Sequence, residues 1–143
     1  MKIQEKDYYH GAALTQIVEH QSFTALNKAD TKYGHYKINH NIRLLVKSGK
    51  GTNTWGCTIN ENDLEIIKKD LESRDKLFLC LVCGLTTICI INEEQINELF
   101  DLKSSNQQWL SVKNKKNGSL WVSSRITALS HSISHNAFPD CLF

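Results

Sequence analysis

The chain has a single proline, Pro139, near its end. One proline leaves no sign of a linker, and the 143 residues read as one globular domain over 1–143. No apolar run reaches the ~18 residues of a membrane-spanning helix, so no membrane partner is expected. The opening MKIQEKDYYHG has no apolar core of signal-peptide kind, and a leader is not expected. There is no internal repeat and no low-complexity segment. Five cysteines are an odd number, which does not suit a disulfide framework; reduced, buried thiols in a cytoplasmic protein are expected. The net charge of +2 is too small to imply nucleic acid by itself. At 41% hydrophobic and 22% charged residues the chain has the composition of a folded domain, not of a disordered one.

What the chain does have is one long apolar stretch, KLFLCLVCGLTTICII from Lys76 to Ile91. Leu77 to Val82 and Thr86 to Ile91 are each of strand length and rich in β-branched residues. Gly84, Thr86 and Thr87 disfavour a single buried helix. A type II′ turn at Gly84-Leu85 would pair Cys83 with Thr86, Val82 with Thr87, Leu81 with Ile88 and Cys80 with Cys89. Neither run alternates apolar with polar, so both faces of this hairpin are expected to be covered.

Around it, three helices are expected. Asp7 caps a first helix over about 8–20, with Ala13, Leu14, Ile17 and Val18 on one face. Asn60 caps a second over about 61–73, with Leu64, Ile67 and Leu71 as its stripe. Asn92 caps a third, with Gln95 in capping-box position. HYKINHNIRLLVKS (35–48) reads as two strands around Asn39-His40-Asn41. In the second of these, Ile42, Leu44 and Val46 form an apolar face, and the other face carries Arg43 and Lys47. GKGTNT (49–54) reads as a loop, Trp55 to Ile59 as a strand, and Trp109–Val112 with Leu120–Ser123 as a second hairpin pairing Val112 with Trp121. Phe138, Leu142 and Phe143 are placed to pin the C-terminus to the body. The fold class is thus α/β (or α+β): a mixed sheet with a central apolar hairpin at 77–91 and about three flanking helices.

Several chemistries are disfavoured by spacing. Cys80-Leu-Val-Cys83 has CxxC spacing, but residues three apart on a strand point to opposite faces and cannot share a metal. Cys80 and Cys89, facing each other in the turn register above, retain a redox option. His131 and His135 are four apart and are the candidate metal ligands, yet no HExxH glutamate accompanies them. Gly49-Lys50-Gly51-Thr52 lacks the Lys-Ser/Thr pair of a Walker loop, and no GxSxG nucleophile elbow exists. Arg43, Lys47, Lys50, Lys113, Lys115, Lys116 and Arg125 are the cations on expected strands and loops. With the second hairpin beside the Arg43–Lys47 strand they form one basic surface near Trp55, Trp109 or Trp121, suited to phosphates and base stacking.

The order helix, strands, helix, strand over the first 83 residues resembles the core of the restriction-endonuclease-like, PD-(D/E)XK, nuclease family. In that family an acid on one strand and an acid on the next hold a divalent metal, and a lysine stands two residues after the second acid. In Arg43-Leu-Leu-Val-Lys47 the lysine matches, Leu45 stands at the acid position, and Asn39 or Asn41 stands where the first acid would be. Glu19 matches the family's helix glutamate. The resemblance implies a catalytically silent copy that needs no cofactor, because Leu and Asn do not replace carboxylates around Mg²⁺. The alternative is a diverged nuclease using Glu19, Asp30 and Lys47 with Mg²⁺. The leading expectation is a non-catalytic binding or assembly subunit whose partners are another protein or a second copy, and nucleic acid through the basic surface. A homo-oligomeric structural protein with the tryptophan-bearing hairpin as its interface is the third.

Overall fold

The computed structural model describes residues 1–143. Helix α1 (Glu5–Val18) leads into β1 (Leu26–Lys28), β2 (His35–Ile38), β3 (Ile42–Gly51) and β4 (Thr54–Ile59). Helix α2 (Glu61–Leu71) crosses to β5 (Lys76–Cys83), followed by β6 (Thr87–Asn92), α3 (Glu93–Leu99), β7 (Gln108–Lys115), β8 (Ser119–Ser124) and β9 (Ile133–Ser134). The helix caps follow from sequence. Asn60 accepts from the Asp63 amide and Asn92 from the Gln95 amide, each in a reciprocal capping box. At α1 the cap differs from expectation. Gln4 is the N-cap, and Asp7 sits three residues inside, its carboxylate accepting from the Gln4 amide.

The nine strands form one sheet that forks along β3. One limb, sheet A, runs β1–β2–β3–β5–β6, with β3 and β5 parallel and the other pairs antiparallel. The other limb, sheet B, starts from the last residues of β3 and runs β4–β7–β8–β9, all antiparallel. The fold is therefore mixed α/β, with β5 central and buried on both faces, as a strand without alternation must be. Ile42, Leu44 and Val46 face α1, and with Ala13, Ile17, Phe78, Cys80 and Val82 they form one core. Phe138 and Leu142 close that core from the C-terminus, and Phe143 stacks on His20. Leu45, Leu79, Leu81, Cys89 and Ile91 face the opposite way, onto α2 and the inner face of sheet B. No helix is long and apolar enough to cross a membrane.

Both hairpin registers differ from expectation. Cys83 pairs with Thr87, Val82 with Ile88, Leu81 with Cys89 and Cys80 with Ile90. The connection is a three-residue loop, Gly84-Leu85-Thr86, in which Gly84 takes φ +56 and the Thr86 amide returns to the Cys83 carbonyl. Three-residue hairpin loops use such a left-handed residue. The one-residue slip puts Cys80 and Cys89 in different cores, which removes the redox pairing. In the second hairpin Val112 pairs with Val122, not with Trp121. This register keeps Leu110, Val112, Leu120 and Val122 together on the buried face. Burial also pushes the thiols up, Cys57 to about 11 and Cys83 to about 12, and Cys80 and Cys89 well upward too, so none of these four is a ready nucleophile.

Candidate functional site

The fork in the sheet makes a cleft. Strand β3 pairs with β2 up to Leu45 and with β4 only at Lys50 and Gly51. Between these points β4 splays away, and the opening of about 460 Å³ is lined by Lys6 and His10 of α1, Lys32 and Tyr33 before β2, Val46, Lys47, Ser48 and Lys50 of β3 and Gly56 and Thr58 of β4. Four lysines therefore converge on one open space.

They are held in different ways. Asp63, 0% exposed at the start of α2, accepts from Lys47 Nζ at 2.8 Å and lies 3.3 Å from Lys32 Nζ. That buried carboxylate offsets one of the two charges it touches. Lys6 lies over the Tyr33 ring at 4.1 Å, and the Tyr33 hydroxyl donates to Asp7 at 2.7 Å. Lys50 is exposed and has no carboxylate partner within salt-bridge distance. The cleft keeps a clear positive excess.

His10 continues the buried stripe of Ala13 and Ile17 and is 7% exposed. Its Nδ1 is buried with no hydrogen-bond partner. Gly34, at φ +89, brings its backbone against this ring; a Cβ there would sit 2.7 Å from Cε1. Burial, then Lys47 and Lys6, lower the His10 pKa from 6.5 to about 4, with Asp7 opposing. The ring is thus neutral at pH 7. Between about pH 6.5 and 4 the unfolded chain binds a proton that the folded chain does not, so stability falls as pH drops through that window. The expected loss is on the order of 1–2 kcal/mol after solvent screening. Urea midpoints at pH 7, 6 and 5 should show this slope flattened in His10→Leu; an unchanged slope sinks the assignment.

Behind the cleft, a second set of charges joins β3 to α2. Arg43 donates to Asp75 at 2.9 Å and to Asp70 at 3.0 Å. His35, 3% exposed, has Nε2 bonded to Asp70 and Nδ1 3.0 Å from Asp30. Burial alone would lower the His35 pKa, but hydrogen bonds to Asp70 and Asp30 win and raise it. The spacing explains the match. Arg43 and Lys47 are about 13 Å apart along the strand, and Asp70 and Asp63 about 10 Å apart along the helix.

The residues singled out in the sequence therefore separate. Arg43 and Lys47 are occupied with α2 rather than displayed on an open basic strand. Glu19 caps the C-terminal end of α1, roughly 13 Å along the helix from His10 and the cleft, while Asp30 contacts His35 and Lys47 contacts Asp63, so the three are not gathered. His131 hydrogen-bonds Ser130 near Asn92 and Gln95, whereas His135 packs against Gly118, so these two do not share a site. No group of three or more His, Cys, Asp or Glu side chains is arranged to hold a metal ion. Arg125 lies 3.9 Å from Asp101, and Lys116 is in the turn after β7.

Lys50, Lys113 and Lys115 do share a face. Register places Lys50 beside Gly56, Gly56 beside Ser111, and Thr54 beside Lys113, which in turn pairs with Trp121. Thr58 pairs with Trp109. These residues form the outer face of sheet B, which is continuous with the cleft through Gly56 and Thr58. Trp55 points the other way and is buried, so it is not part of the surface.

Lys6 and Lys32 escaped the reading by sequence. One signal was available: the chain has no Asp or Glu between Asp30 and Glu61, nor between Asp101 and Asp140. Those two stretches supply β2–β4 and β7–β9, and hence every strand of sheet B. No family model, curated protein or solved structure matches the chain.

Proposed function

We propose that this protein is a non-catalytic binding subunit that holds nucleic-acid phosphates in the lysine cleft and along the outer face of sheet B. The observation that carries the reading is charge segregation: a cleft with four lysines opens onto a sheet limb whose strands contain no acidic residue. Polyanion backbones are bound through such surfaces with release of counterions. The neutral His10 and the hydroxyls of Ser48 and Thr58 add polar contacts without adding negative charge.

Donor chemistry supports the non-catalytic part. At the position where a metal-dependent nuclease of the resembled family has its acid, Leu45 is fully buried in the core, and Lys47 is tied to Asp63. These residues do not fit Mg²⁺, whose ligands are oxygens.

Fluorescence anisotropy with DNA and RNA 20-mers tests the reading. With Lys6, Lys50 and Lys113 each meeting a phosphate, affinity for a single strand should fall about 20-fold between about 50 and 200 mM salt. Lys50→Ala should weaken binding and make the log–log salt slope about 0.7 shallower. Strands should stay intact when Mn²⁺ is added. No binding at the lower salt sinks the proposal. Cleavage that is lost in Lys47→Ala overturns its non-catalytic part.

A further inference from the structure

We infer that the outer face of sheet B is a stacking platform for single-stranded nucleic acid: Trp109 takes the base of the nucleotide whose phosphate sits in the lysine cleft, and Trp121 takes a base further along. This rests on the phosphate-binding reading above and adds which form of nucleic acid is held and by which rings.

Trp109 is 46% exposed, a large ring left at the surface of β7. Its register partner is Thr58, which lines the cleft. Neighbouring strands lie about 5 Å apart, so the ring adjoins the phosphate site by one strand spacing. Trp121 pairs with Lys113, four residues along β7 from Trp109. Four strand residues span about 14 Å, a distance an extended strand covers in about two nucleotide steps. On the same face between the rings lie Ser111 and Lys113, a hydroxyl and an ammonium for the intervening backbone.

The Trp121 ring already carries a cation, Lys115 Nζ, at 4.6 Å from its centroid. A π face that accepts an ammonium also accepts a base, and the displaced Lys115 is then free to meet a phosphate. A duplex keeps its bases inside and presents no free ring to a flat sheet. The charge of the face matches a strand with one phosphate per base, since it has lysines and no carboxylate.

The experiment compares a single-stranded 20-mer, its duplex and an abasic 20-mer by anisotropy, using the whole chain and Trp109→Ala, Trp109→Phe and Trp109→Thr. The single strand should bind at least about tenfold more tightly than the duplex, and Trp109→Ala should lower single-strand affinity between about five- and 150-fold. Duplex and abasic affinities should not change, the salt slope should persist, and Trp109→Phe should keep most of the affinity. Trp109→Thr suits an exposed strand position and repeats the test if the alanine variant misfolds. Unchanged single-strand affinity in a folded variant overturns the stacking platform and leaves the lysine cleft standing. Absence of any salt-dependent binding removes both. Sedimentation is run alongside: self-association abolished by Trp109→Ala gives this face to a second copy of the chain and overturns the inference.

Discussion

An Asp70→Asn variant is expected to lose about 3–5 kcal/mol of stability, the range found when one partner of a buried ion pair is removed, and with it about 10–20 °C of Tm. Asp70 is 2% exposed and serves two cations, the His35 ring and the Arg43 guanidinium. An amide of the same shape can accept one of those hydrogen bonds, but its NH2 then faces a donor. The charge of His35 is left against Asp30 alone, and Arg43 keeps only Asp75. The pH dependence gives a second readout. His35 has a raised pKa in the fold, so its contribution is full below about pH 6.5 and is lost as pH rises through the raised value. The deficit of the variant should therefore be largest on the acid side of neutrality. Adding His35→Gln should recover part of the loss, because no buried imidazolium remains to be paired. Thermal unfolding of the single and double variants at pH 6 measures both. A loss below about 1 kcal/mol would show that the network contributes little.

That network also shows where reading by sequence runs out. The elements themselves were legible because each carries a local signal: Asn60 and Asn92 cap their helices, and Asn39-His40 turns β2 into β3 with positive φ at both residues. The two-sided burial of β5 was legible from its lack of alternation. Registers were not, because a loop of two or three residues around Gly84 differs by one backbone conformation yet flips every facing pair. The site was legible only in part for a related reason. Arg43 and Lys47 could be placed on one strand face, but their partners Asp70 and Asp63 lie on α2, after β4 in the chain, and nothing local joins them. Lys6 and Lys32 reach the cleft through the packing of α1 and the Tyr33 segment, which is tertiary information. The charge segregation, by contrast, was written in the chain as two acid-free stretches, and it became meaningful once β3, β4 and β7 were known to be neighbours.

A Trp55→Ala variant should lose about 3–5 kcal/mol, the range for removing a large buried aromatic side chain, and should also weaken nucleic-acid binding although Trp55 touches no ligand surface. Trp55 is 1% exposed and sits where the two sheet limbs part. Its side chain fills the inner side of the β3–β4 fork. A Cβ placed on Gly49 would lie 3.0 Å from the Trp55 Cβ, and one on Gly84 would lie 3.2 Å from its Nε1. Strand β3 and the tip of the β5–β6 hairpin thus close onto this one indole. Without it the inner wall has a cavity, and the angle at which β4 leaves β3 is no longer fixed by packing. That angle sets the spacing of Lys50 from Thr58 across the cleft, so binding should fall along with stability. Trp55→Phe separates the two effects: it restores most of the packed volume and should restore binding more fully than stability. Urea unfolding followed by tryptophan emission, with anisotropy titrations of the same proteins, gives the comparison. Trp55→Ala with full stability would mean that the fork is held by backbone pairing alone; lost stability with unchanged affinity would mean that the cleft does not depend on how the sheet divides.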